Sequence, residues 1–334
     1  MKEKFDYYDS GISAILFIVL QFLFLELYSY LPASIKTSAV TMIASCLLEG
    51  MFLLTVFLTA KISKTNMLKA TTLDKKVNVK GVLYSIAIAI VFLIFASPLT
   101  NVFAMFLDKI GYKSALGGLN VNNVGIYLLY IIVMCAVPAI TEESLFRGCM
   151  LNGLKEKNKH MAVIVSALFF TFMHGGPDQT IHQFVMGVLA GYILVYTGNI
   201  WYPIVIHFTN NFLAVTMSYI YSGAQSSTAA VTETITWGQI GVNFVYAIVM
   251  AAAGTAIIYF IIKELIKENG GLQNNDIVIT TVGEEKIEES TVLKPVAKTK
   301  ISWVPIAFFV LSGLYLIFEW VATLLIGLGV VKII

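Results

Sequence analysis

The sequence predicts an all-α protein, a polytopic transmembrane helical bundle of about nine spans (eight or nine). Three observations predict it. Of the 334 residues, 58% are hydrophobic and only 13% are charged, which is typical of a membrane protein. The hydrophobic residues form stretches long enough to cross a bilayer, and the lysines are concentrated in alternate loops.

Nine windows are long and apolar enough to cross a hydrocarbon core of about 30 Å. The first follows a charged N-terminus and has no small-residue cleavage site after it, so we expect a retained span and not a signal peptide. The fifth and sixth are the shortest. The windows are residues 11–32, 39–60, 81–106, 124–150, 158–174, 180–197, 200–222, 237–263 and 302–331.

The lysines predict the orientation of the bundle. The loop 61–80 carries six of them, and by the positive-inside rule it is cytoplasmic. Alternating from that loop places the N-terminus inside and puts 18 of the 22 Lys and Arg residues on the cytoplasmic side. The single arginine and the absence of internal targeting signals favour a bacterial plasma membrane.

The chain divides into five predicted regions. Residues 1–120 are N-terminal transmembrane helices, 121–222 hold the polar motifs described below, and 223–263 form an additional helix. Residues 264–301 are polar and mixed in charge, which predicts a mostly disordered cytoplasmic linker, and 302–334 form the last helix. We see no nucleotide-binding glycine loop, no internal repeat and no sign of nucleic-acid binding. Three cysteines without CxxC spacing support neither a disulfide framework nor a cysteine metal site.

Two carboxylates and the only arginine stand together in the fourth window, as Glu142, Glu143 and Arg147. Each charge at bilayer depth costs roughly 2.5–3.5 kcal/mol, so the group indicates a functional site. A purely structural pair of Glu143 and Arg147, one turn apart, would leave Glu142 unexplained. We expect Arg147 to grip Glu143 in a bidentate way and Pro138 to kink the helix and free backbone carbonyls.

Further polar residues lie in the fifth and seventh windows. His174 follows Phe170 by one turn, while His207 and Asn211 share one helix face. At 1.5 Å per residue, these groups and Glu142 reach similar depths. The sequence therefore predicts an active site in a membrane-embedded cavity that opens to the cytoplasm.

Other polar and small residues have a simpler interpretation. We expect His160 and His182 to be packing groups and Asn210 to make a hydrogen bond between helices. Gly187 and Gly191 form a GxxxG pattern, which is typical of closely packed helices.

The available side chains favour water activation over a covalent nucleophile. Glu142 would take a proton from water, His174 would orient that water, and His207 and Asn211 would donate hydrogen bonds to the oxyanion. Zinc bound by His174, His207 and Glu142 is the alternative. There is no HExxH helix and Asn211 is a poor zinc ligand, so the metal-free version is favoured, with the metal question open.

Three motifs in order carry a resemblance. EExxxRG at 142–148, FxxxH at 170–174 and HxxxN at 207–211 resemble the motifs of the CAAX-protease and bacteriocin-processing family (CPBP, or Abi), whose eukaryotic relatives are the CAAX prenyl endopeptidases. The resemblance covers roughly residues 120–215. It implies a helical-bundle intramembrane endopeptidase, often labelled a metalloprotease, whose core here is 121–222. Its functional residues would be Glu142, Glu143, Arg147, His174, His207 and Asn211, supported by Phe170.

The expected function is therefore hydrolysis of a peptide bond in a membrane-associated peptide or protein precursor, such as a CAAX-like, bacteriocin or signal peptide. The expected partners are that substrate and the bilayer. One alternative is a non-catalytic immunity or scaffold protein that binds a peptide in the same pocket. Another is a small-solute transporter, which the lack of two similar halves disfavours.

Overall fold

The computed structural model describes residues 1–114, 121, 123–224, 235–270 and 303–331. Within these ranges the chain is helical and forms no β-sheet, so the predicted all-α helical bundle is confirmed. The helices are α1 (Tyr7–Ser29), α2 (Ser38–Ile62), α3 (Met67–Thr71), α4 (Val79–Lys109), α5 (Val124–Leu154), α6 (Lys159–Met173), α7 (Thr180–Thr197), α8 (Trp201–Ala224), α9 (Trp237–Glu268) and α10 (Trp303–Gly327).

Every predicted window corresponds to one helix, and only the short α3 was not anticipated. Seven of the described helices are long and apolar enough to cross a membrane. The other two are α6, which has only 15 residues, and α8, which carries His207, Asn210 and Asn211. The protein is an integral membrane protein by these helices, and the total of nine spans stays a prediction.

Two helix ends differ from the predicted limits. Asp6 accepts hydrogen bonds from the backbone N–H groups of Tyr8 and Asp9, so α1 begins before residue 11. Helix α9 continues past residue 263 to Glu268, which pairs with Lys80 at 2.9 Å. The predicted linker therefore begins later than residue 264, and its main part lies outside the described residues.

Helix α5 lies at the centre of the bundle and packs against α1, α2, α6 and α8. Aromatic rings fill the space between these helices. Phe146 of α5 meets Phe17 of α1 and Phe170 of α6 edge to face, each at 5.6 Å between ring centres. Because these rings are fully buried, they hold the polar part of α5 in a rigid apolar frame.

Helix α5 is not a regular α-helix along its length. It is π-helical over Ile131–Ala136 and Ser144–Leu151, and π-helical turns are frequent at functional sites. Pro138 has no N–H to bond the carbonyl of Met134 four residues earlier. That carbonyl instead accepts a hydrogen bond from Asn211 Nδ2 of α8 at 3.0 Å, so Pro138 frees a carbonyl that a neighbouring helix then satisfies.

The two glycines of the GxxxG pattern bring α7 against α6. A Cβ atom at Gly187 would lie 3.0 Å from the Cα and Cβ atoms of Ala167, and one at Gly191 would lie 3.0 Å from Val163 Cγ1. Both distances are shorter than ordinary van der Waals contact. The close helix packing expected of this pattern is present.

Candidate active site

Glu143 and Arg147 form a fully buried ion pair on α5. Neither side chain is exposed to solvent, and Arg147 Nη1 lies 3.1 Å from Glu143 Oε1. The pair stands one helical turn apart, where α5 passes into its second π-helical segment. Two opposite charges this close can remain buried, whereas either one alone would leave an uncompensated charge.

The predicted bidentate grip is wrong, because Arg147 divides its contacts among three partners. Its Nη2 donates to the carbonyl oxygen of Gly187 at 3.3 Å, and its guanidinium lies 4.2 Å above the centre of the Phe170 ring. Only Nη1 meets Glu143, and Glu143 Oε2 has no hydrogen-bond partner in the described part of the chain. Stacking on Phe170 and the bond to α7 turn the planar guanidinium away from a parallel approach.

His207 is the second partner of Glu143. Its Nδ1 lies 3.0 Å from Glu143 Oε1, and its side chain is buried. Because the carboxylate only accepts hydrogen bonds, Nδ1 carries a hydrogen. A neutral His207 then offers Nε2 as an acceptor, and only the protonated ring donates from both nitrogens.

His174 is fixed by the turn that ends α6. Its Nδ1 donates to the carbonyl oxygen of Phe170 at 2.7 Å, so the neutral ring presents an unprotonated Nε2. The Phe170 ring meets the rings of His174 and His207 at 5.0 and 5.7 Å between centres. Phe170 therefore brings Arg147, His174 and His207 together around one side chain.

Asn211 lies one turn beyond His207 on α8, with its amide directed at α5. Its Nδ2 bonds the Met134 carbonyl, and its Oδ1 accepts from Asn210 Nδ2 at 3.2 Å. One of its two amide hydrogens is thus used to satisfy the carbonyl freed by Pro138. The second hydrogen is the one that a role as an oxyanion donor would require.

Glu142 has quite different surroundings from Glu143. It is only 5% exposed, and its Oε2 has no hydrogen-bond partner among the described residues. Glu49 of α2 reaches the neighbouring residue, where Thr141 Oγ1 donates to Glu49 Oε2 at 2.5 Å. Glu143 is paired with Arg147 and His207, whereas Glu142 forms no ion pair among the described residues.

Glu49 was missed by the sequence analysis. It stands in α2, inside the predicted window 39–60, as a lone carboxylate among apolar residues. The cost of a charge at that depth, which drew attention to Glu142 and Glu143, applies equally to Glu49. That signal alone would have found it.

The remaining polar residues make contacts between helices. His160 Nδ1 lies 2.9 Å from the Tyr192 hydroxyl. The ring of His182 lies 5.2 Å from that of Phe92. These placements agree with the packing roles expected for them. Asn210 Nδ2 donates to Asn211 of the same helix at 3.2 Å, so the interhelical bond expected of Asn210 stays a prediction.

The alternative zinc site does not fit this arrangement. In the described ranges, no three His, Cys, Asp or Glu side chains are grouped closely enough to hold a metal ion together. The set of His174, His207 and Glu142 is therefore not assembled as a ligand set. We derive no step through a metal.

A cavity of about 690 Å³ lies between α4, α7 and α9, and none of the motif residues lines it. Its walls are mostly apolar and include Phe92, Val188, Tyr192, Ile258 and Lys263. It contacts a different face of α7 from the one that carries Gly187. The expected cavity at the active site itself stays a prediction.

Comparison with known proteins supports the resemblance. Residues 124–213 match the family model described as Type II CAAX prenyl endopeptidase Rce1-like. The match spans most of α5 to α8 and contains all six motif residues, which confirms the CAAX-protease resemblance and supports a CAAX-type intramembrane protease in general. No curated protein and no solved structure matches the chain.

Proposed function

We propose that this chain, through its match to the CAAX prenyl endopeptidase family, is an intramembrane endopeptidase that activates water with Glu142 and His174. Its substrate is a membrane-associated peptide or protein precursor. It works in a bacterial plasma membrane, with its N-terminus in the cytoplasm and its site reached from the cytoplasmic side. The 18-to-4 split of cationic residues supports that orientation.

One observation carries the proposal, which is the different partnering of two adjacent carboxylates. Glu143 is bound by Arg147 and His207, so its charge is balanced and its position fixed. Glu142 forms no ion pair among the described residues, and its Oε2 is buried without a donor. A buried carboxylate with free acceptor capacity is suited to take a proton from water.

The proposed reaction uses four of the six motif residues. Glu142 takes a proton from water while the water oxygen bonds to the substrate carbonyl carbon, and the carbonyl π electrons move to its oxygen. His174 Nε2 accepts the second hydrogen bond of that water and orients it. His207 donates to the resulting oxyanion from Nε2 in the protonated form of its ring, together with the second amide hydrogen of Asn211. The C–N bond then breaks, and the leaving nitrogen takes the proton from Glu142.

The test is hydrolysis by the purified full chain in liposomes. The probes are an internally quenched peptide that ends in a CAAX sequence with a prenylated cysteine, and the same peptide unmodified. We expect cleavage that persists in chelator and disappears in Glu142→Gln. Glu26→Gln is the matched control, since Glu26 is an exposed glutamate of another span.

The outcomes separate the competing functions. Cleavage of the prenylated peptide alone identifies a CAAX-like substrate, and equal cleavage of both indicates a broader peptide specificity. Binding without cleavage would favour the immunity or scaffold function. Loss of activity in chelator with recovery in Zn²⁺ would contradict the metal-free mechanism.

A further inference from the structure

The cavity between α4, α7 and α9 follows from the way these three helices pack. Helix α9 lies along α4 but contacts α7 at few points, so a space is left between α7 and α9. Gly254 allows the close approach to α4, since a Cβ atom there would meet the side chain of Phe95. The resulting volume of about 690 Å³ is within the usual range of small-molecule pockets.

The cavity has an apolar part and a polar end. All of its lining residues on α4 are apolar, and so are those on the first half of the lining of α7. The polar lining residues stand together towards the end of α9 and α7, joined there by the start of α6. We call this the cationic end, and its residues are His160, Tyr192, Tyr196, Tyr259 and Lys263.

Two lysines lie above tyrosines of the cationic end. Lys263 Nζ lies 5.6 Å from the centre of the Tyr259 ring, and Lys159 Nζ lies 5.7 Å from that of Tyr196. No Asp or Glu is among the described residues that line the cavity. The cationic end therefore complements a ligand that carries a negative charge.

The carboxylates closest to this end along α9 already have partners. Glu264 pairs with Lys267 at 2.5 Å, and Glu268 pairs with Lys80 at 2.9 Å. Neither of the two lysines above the tyrosines forms a salt bridge in the part of the chain that the structure describes. Their charge is thus available to a ligand.

The cavity has the depth of one membrane leaflet. Its lining on α9 runs from Ala251 to Ile266, about 22 Å at 1.5 Å per residue. One leaflet with its headgroups is about 20–22 Å thick, half of a bilayer of about 40–45 Å. Lys80, which pairs with α9 near the cationic end, belongs to the loop that the lysine distribution assigns to the cytoplasm. In that orientation the cationic end lies at the headgroups of the cytoplasmic leaflet, and the apolar part lies among its acyl chains.

We propose that this cavity binds an anionic phospholipid of the cytoplasmic leaflet, with an acyl chain between α7 and α9 and its phosphate at Lys159 and Lys263. Apolar cavities stay dry and take up apolar molecules, and basic pockets between membrane helices on the cytoplasmic side bind anionic headgroups. His160 Nδ1 and the Tyr192 hydroxyl, 2.9 Å apart, add hydrogen-bonding groups at the same level. The proposal goes beyond the peptidase function and does not depend on it.

Native mass spectrometry of the full chain, released from detergent, counts bound lipids and tests the site. The probes are phosphatidylglycerol and phosphatidylcholine with identical acyl chains. We expect the first phosphatidylglycerol to bind at least about fivefold more tightly, since one basic residue near an anionic lipid contributes about that factor. Equal affinity for the two lipids overturns the proposal.

A substitution at the cationic end tests the headgroup contact. Lys263→Gln is expected to lower the affinity for phosphatidylglycerol about fivefold and to leave that for phosphatidylcholine unchanged. Lys61→Gln is the matched control, because Lys61 is an exposed lysine at the end of α2 and does not line the cavity. Equal affinities of Lys263→Gln and Lys61→Gln for phosphatidylglycerol overturn the proposal.

A substitution in the apolar part tests the place of the acyl chain. Thr255 is an exposed residue of α9 that lines the cavity, so Thr255→Trp fills the space and is expected to abolish the tight binding. Ala253→Trp adds the same ring to an exposed position of α9 outside the cavity and should bind like the wild type. Wild-type binding by folded Thr255→Trp overturns the proposal. If Thr255→Trp does not fold, Lys263→Gln still decides it, since Lys263 is exposed.

Two competitors distinguish the phospholipid from other ligands. Inorganic phosphate, compared with chloride at equal ionic strength, is expected to leave the lipid bound, because it lacks the acyl chain. The prenylated peptide of the hydrolysis assay is also expected to leave it bound. Displacement by phosphate would mean that the lysines alone form the site, and displacement by the prenylated but not the unmodified peptide would assign the cavity to the substrate. Either result overturns the proposal.

Discussion

Glu142 and Glu143 are consecutive residues, yet the helix turns their side chains about 100° apart. Glu143 faces α8 and meets His207, and it also contacts Arg147. Glu142 follows Thr141, whose hydroxyl bonds Glu49 of α2. At the residue scale, this divergence separates the carboxylate that is ion-paired with Arg147 and His207 from the one that we propose to react.

The Glu143–Arg147 pair should dominate stability at this site. We expect Glu143→Gln to cost about 3–5 kcal/mol of unfolding free energy, because it leaves the buried guanidinium without its counter-charge. Arg147→Lys should also destabilise, since an ammonium cannot stack on Phe170 in the same way. The free energy of unfolding in detergent, measured for each variant and for the wild type, tests both predictions.

The matched control for that prediction is the exposed pair of Glu264 and Lys267 on α9, whose nitrogen and oxygen lie 2.5 Å apart. Glu264→Gln should change the stability by no more than about 0.5 kcal/mol. Equal effects of Glu143→Gln and Glu264→Gln would contradict the structural role assigned to Glu143.

The sequence was sufficient to choose Glu142, Glu143 and Arg147, because charges in an apolar segment are visible without a structure. The sequence did not allow the contacts of the Arg147 side chain to be predicted. The carbonyl of Gly187 and the ring of Phe170 come from α7 and α6, and only folding brings them to α5. The bond from Thr141 to Glu49 depends on the packing of α2 for the same reason.

At the scale of elements, the link between Pro138 and Asn211 can be tested as a double-mutant cycle. Asn211→Ala should cost about 1–3 kcal/mol, because the Met134 carbonyl loses its donor. In a Pro138→Ala background the cost should be smaller, since the alanine supplies the helical N–H that proline lacks. Unfolding free energies of the four proteins measure the coupling.

The control for this cycle is Asn243→Ala on α9, where the amide bonds the Gln239 carbonyl of the same helix. That substitution should show no coupling to Pro138. Strictly additive effects of Asn211→Ala and Pro138→Ala would mean that the freed carbonyl does not depend on Asn211.

The approach of α7 to α6 gives a second prediction at this scale. Gly187→Ala should lower the unfolding temperature, because its Cβ would lie 3.0 Å from Ala167 and 3.4 Å from Arg147 Nη2. Gly241 on α9 has nothing within 4 Å of such a Cβ. Gly241→Ala should therefore raise stability slightly, as is usual inside helices, and a fall of equal size in both variants would refute the packing argument.

The positions of the helices were predictable because a long apolar stretch of sequence indicates a membrane span directly. The exact ends of α1 and α9 were harder to predict. The start of α1 depends on the cap by Asp6, and the end of α9 lies where Glu268 pairs with Lys80. The π-helical segments of α5 leave no mark in hydropathy. They follow from the packing of α5 among its neighbours, which the sequence pattern does not contain.

At the scale of the whole molecule, the nine-span topology predicts the side of each loop. Reporters fused at Lys76 and Gly283 should lie in the cytoplasm, and one fused after Ile334 should lie outside; the last two positions are outside the described residues. The seven long apolar helices alone do not fix this result. A cytoplasmic reporter at Ile334 would mean that one helix, such as the short α6, does not cross.

The spans could be located from sequence, but their number could not be fixed, for a physical reason. Helices α6 and α8 hold His174, His207 and Asn211 at the site, so they are shorter or more polar than ordinary spans. The features that serve the candidate site are the same ones that weaken the hydrophobic signal.

The most direct test of the central claim compares turnover and unfolding temperature in Glu142→Gln. If Glu142 activates water and Glu143 holds the fold, Glu142→Gln should lose about 10²–10⁴-fold in peptide hydrolysis while unfolding near the wild-type temperature. The account would be contradicted if Glu142→Gln unfolded the protein while a well-folded Glu143→Gln lost only its activity, because the two carboxylates would then have exchanged roles.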